Sequence, residues 1–193
     1  MRTTGLMHLP IFRTRFLFQQ TLIASLIFVT ILMKINTFSF VNHLLHTLAA
    51  AHTRSWLFGG WAEEVWGVIA PRPHNDIDLL YPAADFGTLD QFIGTNPSMA
   101  EILAKRFSHK RAVMYHDVMV EWFLLESHGT GYATHFFDGK HSFYWPDGSL
   151  TQVRGLDGQH VDVASRDALT AYRQQVEARV QAYQAYLTHQ ELV

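Results

Sequence analysis

Residues 57–66 read LFGGWAEEVW and residues 72–80 read RPHNDIDLL, and everything else about the chain is read outward from these two stretches. In the first, a short apolar strand over Ser55 to Phe58 stops at Gly59-Gly60, and Trp61 to Trp66 can form a helix directly after the glycines. In the second, turn-rich Gly67 to Pro73 leads into a strand over Ile77 to Tyr81 that Pro82 ends. Asp76 and Asp78, two residues apart, then project to one face of that strand. Two carboxylates there cannot both ionise cheaply unless cations lie between them. Hard oxygen ligands at that spacing suit Mg²⁺, which keeps waters and takes phosphate oxygens as further ligands. Two such ions can activate a hydroxyl and stabilise a leaving pyrophosphate.

Gly59 and Gly60, between a strand and a helix, let the backbone approach a phosphate, although a lone glycine pair is more often a plain turn. Arg72 and His74 add cationic donors for a triphosphate. A third acid is expected on a neighbouring strand. In Val118 to Leu125, Glu121 is the only charge, and its face-mates Met119, Phe123 and Leu125 are apolar. A purely structural Glu121 would leave a buried charge unpaired. Metal coordination removes that cost and makes Glu121 a candidate base for an attacking hydroxyl. Asp117 competes for the same role, but it falls in the tight turn His116-Asp117 between two strands, where a solvated carboxylate is the plainer reading.

The run Gly59-Gly60-Trp61-Ala62, followed by Arg72, His74, Asp76, Ile77, Asp78 and Leu79, resembles the aminoglycoside and lincosamide nucleotidyltransferases of the DNA polymerase β-type nucleotidyltransferase superfamily. The likeness is strong over residues 55–82 and looser through Glu121 and the terminal helix. It implies a mixed sheet flanked by helices, Mg²⁺ as cofactor, and transfer of a nucleoside monophosphate, AMP from ATP, to a hydroxyl of a small-molecule acceptor such as an antibiotic. Carried over residue by residue, Asp76 and Asp78 are metal ligands, Glu121 takes the third-acid position, and Gly59 and Gly60 line the phosphate site. Relatives often have Asp two residues after the alanine of GGWA. Glu64 stands here, assigned to acceptor binding. The alternative is a non-catalytic nucleotide-binding or toxin–antitoxin-type partner on the same fold.

The 193 residues carry no cysteine, which excludes thiol catalysis and cysteine-ligated zinc, and a net charge of −2, which speaks against a general nucleic-acid binder. That average hides an asymmetry. No acid precedes Glu63, while Arg2, Arg13, Arg15, Lys34 and Arg54 make the first 62 residues +5, and the rest, with 10 basic and 17 acidic side chains, is −7. Phe16 to Met33 is an uncharged 18-residue apolar run. As a helix it would be about 27 Å long, marginal for a bilayer. Residues 1–34 are therefore expected to be an apolar extension, with a membrane anchor (N-terminus inside) as the alternative, and residues 35–193 a cytoplasmic catalytic domain. Met33 opens what reads as an ordinary domain start.

The remaining elements follow from pattern. Val41, Leu44, Leu45 and Leu48 share one helix face, with Ser39 as expected N-cap. A helical region from Thr88 to Phe107 is broken at Gly94 to Pro97, with Ser98 capping its second part. Strands are expected at Val113 to Tyr115, Val118 to Leu125, Tyr132 to Phe137, Ser142 to Trp145 and Val161 to Val163, and a final helix from Ser165 to about Thr188. The fold class is α/β in the broad sense, a mixed sheet with segregated helices.

Overall fold

The computed structural model describes residues 36–136 and 141–176. The expected apolar helix over Phe16 to Met33, the Asp138-Gly139 turn and the end of the terminal helix lie outside these residues.

Helix α1 (Phe38–Ala50) starts at Thr37, whose hydroxyl accepts from the Phe40 amide at 3.3 Å. Ser39 is exposed inside the first turn, so the cap lies two residues earlier than expected. The stripe Val41, Leu44, Leu45 and Leu48 is buried as its spacing predicts, and Phe38 fills the space over Gly155, where a Cβ would sit 2.6 Å from the ring.

The chain then forms β1 (Trp56–Phe58), α2 (Gly59–Val65), β2 (Asp76–Pro82) and α3 (Gly87–Thr95). Next come β3 (Met99–Glu101), a 3-10 turn (Leu103–Lys105), β4 (Lys110–Tyr115) and β5 (Val118–His128). After them follow β6 (Gly131–Phe136), β7 (His141–Trp145), β8 (Leu150–Arg154), β9 (His160–Ala164) and α4, described over 166–176. The sheet runs β3-β4-β5-β2-β1-β9-β8, with β6 and β7 continuing from the far end of β5. It is mixed: β2–β5 and β1–β9 are parallel and the other pairs antiparallel.

Register decides what the sheet presents. Phe58 lies opposite Asp78, and the β2–β5 ladder sets Asp76 beside Met119, Asp78 beside Glu121 and Leu80 beside Phe123. One face therefore carries Ile77, Leu79, Val120 and Trp122, all fully buried. The other carries the acids and Phe58. His116 and Asp117 both have positive φ (47° and 63°), the tight turn expected between β4 and β5.

One expectation is corrected, and one strand is added. Residues 98–107 are not a second helical segment. The Ser98 amide donates to Asn96 Oδ1 in a local turn, Met99 then pairs with Tyr115, and only one 3-10 turn follows. The open edge of β4 offers backbone partners that a free helix there would leave unused. Strand β8, unexpected from its mixed sequence LTQVR, forms the opposite edge and pairs with β9; none of its side chains is fully buried, so its apolar residues carry no alternating signal.

Candidate active site

Strand β2 alternates, burying Ile77 and Leu79 and leaving Asp76 and Asp78 on the other face, where the parallel neighbour supplies Glu121. One oxygen from each of the three carboxylates lies within 4.8 Å of the others. Such crowding raises the cost of ionising all three. Burial first, then the charges of Asp76 and Glu121, push the Asp78 carboxyl up to about 7, against the partly offsetting pull of Lys110 and Lys105. A set of hard oxygens that repel one another fits a divalent cation of the Mg²⁺ type, with Asp76, Asp78 and Glu121 the residues to hold it.

Glu121 is not unpaired without a metal, as the apolar face-mates suggested. It is 6% exposed, and Lys105 Nζ donates to its Oε1 at 2.7 Å while Lys110 Nζ donates to its Oε2 at 2.6 Å. Burial raises the carboxyl, but the two ammonium groups outweigh it and hold the group below its ordinary value. Lys110 also lies 5.0 Å over the Phe123 ring, its register partner. The backbone that carries both lysines is anchored from α3. Asp90 accepts Arg111 Nε at 2.7 Å and Arg106 Nη2 at 2.7 Å, and Arg106 also pairs with Glu101. Lys110 was legible in principle: counting back across the His116-Asp117 turn puts Ala112 opposite Glu121 and Lys110 two residues along on the same face. Lys105, in a 3-10 turn off the sheet, has no such signal.

The glycine pair has an internal requirement. Gly59 sits at φ +61°, and a Cβ there would lie 2.3 Å from an Asp78 carboxylate oxygen. A Cβ on Gly60 would lie 2.7 Å from His74 Nδ1, with the Arg72 guanidinium at 3.5 Å. The two glycines thus bring the start of α2 flat against Asp78, His74 and Arg72, so these predicted site residues do converge.

His74 and Glu64 are paired with each other. The His74 side chain is 4% exposed, with its ring 4.2 Å from that of Trp61 and its Nε2 at 2.8 Å from Glu64 Oε2. Glu64 also accepts from the Arg72 amide, so this buried carboxylate braces the loop that carries Arg72 and His74. Asn36, which nothing in the pattern singled out, completes the brace. Its amide donates to the carbonyls of His74 (2.7 Å) and Asp76 (3.3 Å), and its oxygen accepts from Trp61 Nε1 at 3.1 Å.

A cavity of about 400 Å³ opens beside the acids, with Asp78, Gly59 and Gly60 at one side. Phe58 and Phe123 form its sheet wall, and Leu169, Tyr172 and Val176 of α4 face them. Tyr172 meets Phe58 edge-on at 4.9 Å and stacks on Trp145 at 5.6 Å. At the rim Arg173 of α4 pairs with Glu63 of α2. The cavity therefore takes Glu63, one residue before the acid assigned from sequence.

No protein-family model matches the sequence, and no curated protein is significantly similar to it. Solved structures do match. The lincosamide antibiotic adenylyltransferase LnuA, in its lincomycin-bound form, superimposes with a TM-score of 0.58 at 12% identity, covering 69% of this chain and 84% of LnuA. A candidate nucleotidyltransferase from Thermotoga maritima superimposes with a TM-score of 0.56 at 14% identity, covering 81% of this chain and 96% of its own. The chain has the nucleotidyltransferase fold.

Proposed function

We propose that the protein is a nucleotidyltransferase that moves a nucleoside monophosphate, AMP from ATP, onto a hydroxyl of a small-molecule acceptor, and that residues 35–193 carry this activity. The observation that carries the reading is the convergence of Asp76, Asp78 and Glu121 beside the Gly59 turn, at the edge of a cavity large enough for a small substrate. The nucleotidyltransferase fold supports it.

In this reading the triphosphate lies along Gly59 and Gly60, with the Arg72 guanidinium as its cationic partner. The acceptor occupies the cavity with its hydroxyl toward Asp78. The acceptor oxygen attacks the α-phosphorus in line, forming the new O–P bond as the bond to the β-phosphate bridging oxygen breaks and pyrophosphate leaves. The hydroxyl proton passes to Glu121, whose oxygens must first be freed from Lys105 and Lys110. Bound Mg²⁺ would supply charge neutralisation of the phosphates and of the attacking oxygen. His74, Glu64 and Asn36 act as positioning residues that hold the Arg72 to Asp76 segment in place.

The cavity lining bears on the acceptor. Phe58, Phe123, Leu169 and Val176 are apolar, Tyr172 adds an aromatic ring, and Glu63 is already paired with Arg173. An acceptor with an apolar face suits this better than a polycation, which needs unpaired carboxylates around it. That favours the lincosamide type, the class LnuA acts on, over the aminoglycoside type. The test is incubation with labelled ATP, Mg²⁺ and a panel of both classes, followed by mass spectrometry of the acceptor. Labelled lincosamide is the expected product. The non-catalytic alternative draws on the lysine pair over Glu121, and it predicts nucleotide binding with no pyrophosphate from any acceptor.

A further inference from the structure

Glu121 is gripped from two sides by ammonium groups that have no other carboxylate partner among the described residues. With all groups ionised, three carboxylates against two lysines leave the cluster one net negative charge. The lysines differ from the arginines around them. Arg111 and Arg106 are fixed by Asp90 and Glu101, whereas Lys105 and Lys110 end flexible stems in compact point charges that can change partner without moving the backbone. Lys105 reaches Glu121 from the solvent side, with its side chain 39% exposed, against 17% for Lys110.

We propose that Lys105 and Lys110 are resident counter-ions of the acid cluster, and that they pass from Glu121 to the polyphosphate of the substrate when a divalent cation is bound by the three acids. The inference rests on the transferase reading above. A cation on Glu121 repels ammonium groups placed 2.7 and 2.6 Å from the same oxygens. A polyphosphate arriving with that cation offers each lysine a charge-assisted acceptor of equal strength, so the exchange keeps both ammonium groups paired throughout. The lysines thus stabilise the empty cluster, weaken metal binding in the absence of nucleotide, and strengthen it in its presence.

The experiment is calorimetric titration of the full chain with Mn²⁺ alone, and with inorganic tripolyphosphate in the presence of Mn²⁺, for wild type, Lys105→Met and Lys110→Met. Each variant is expected to bind Mn²⁺ about five-fold more tightly than wild type, and tripolyphosphate about ten-fold more weakly. Should the methionine variants fail to fold, Lys105→Gln and Lys110→Gln keep a donor to Glu121 without the charge and carry the same expectation. Mn²⁺ affinity that is unchanged or weaker in either position overturns the assignment of that lysine. Tighter Mn²⁺ with unchanged tripolyphosphate overturns the transfer to substrate. Wild-type protein that binds no Mn²⁺ overturns the transferase reading itself, and the inference with it.

Discussion

Asp78 is the residue on which the site turns, held between two other acids and against a glycine that leaves no room for a side chain. Its carboxyl is pushed up to about 7 from 3.8. The folded, metal-free protein therefore holds this proton where the unfolded chain has lost it, so the group lowers stability as pH rises from about 4 to about 7 and adds no slope above that. Metal-free wild type is expected to melt at lower temperature at pH 8 than at pH 5 through this group. Asp78→Asn should raise the pH 8 melting temperature while cutting transfer by about 10²–10³-fold. Scanning calorimetry at the two pH values checks the first, and a rate assay the second. Gly59→Ala should cost about 1–3 kcal/mol in urea unfolding, since it puts a Cβ at positive φ and into the Asp78 carboxylate. At this scale the acids were readable because strand periodicity alone sets Asp76 and Asp78 on one face. The partners of Glu121 were not, because they come from another strand and a 3-10 turn. The His74–Glu64 pair was unreadable for a similar reason: a linear pattern names the residues but not which of them face each other.

Among the elements, α3 governs the site without touching it. Asp90 on α3 takes both Arg111 and Arg106 and so fixes the segment that carries Lys105 and Lys110. Burial raises the Asp90 carboxyl, but the arginines outweigh it and hold it below 3.8. Its contribution to stability is therefore present above about pH 4 and is lost as pH falls below that, opposite in sign to Asp78. Asp90→Asn is expected to lower the melting temperature at pH 7, with a difference from wild type that shrinks as pH falls below about 4. Equal melting temperatures at pH 7 would remove Asp90 from this role. A one-sided apolar stripe made α1 legible and a continuous apolar run made β5 legible, whereas residues 98–107 were not. Met99, Ile102, Leu103 and Phe107 have helix-compatible spacing, and only the vacant edge of β4, a tertiary feature, turns the segment into a strand.

At the scale of the molecule, the sheet sets Asp78 beside Glu121 through a parallel pair, and α4 closes the cavity that Asp78 lines. Near-neutral overall charge says nothing of this, because the acids that matter are clustered on one face. No helix among the described residues is long and apolar enough to cross a membrane. The mixed-sheet class was readable from the order of elements. The cavity was not, since its walls come from β1, β5 and α4. Val176→Trp, at the exposed side of that cavity, should raise the KM for the acceptor about ten-fold while leaving that for ATP within about two-fold, a split that steady-state kinetics resolves. The central claim, nucleotidyl transfer at the acid cluster, is tested most directly by measuring pyrophosphate release with ATP, Mg²⁺ and a lincosamide for wild type and Asp78→Asn side by side. The account predicts acceptor-dependent release by wild type that falls by about 10²–10³-fold in the variant. Release that persists in Asp78→Asn, or that wild type shows with no acceptor present, would contradict it.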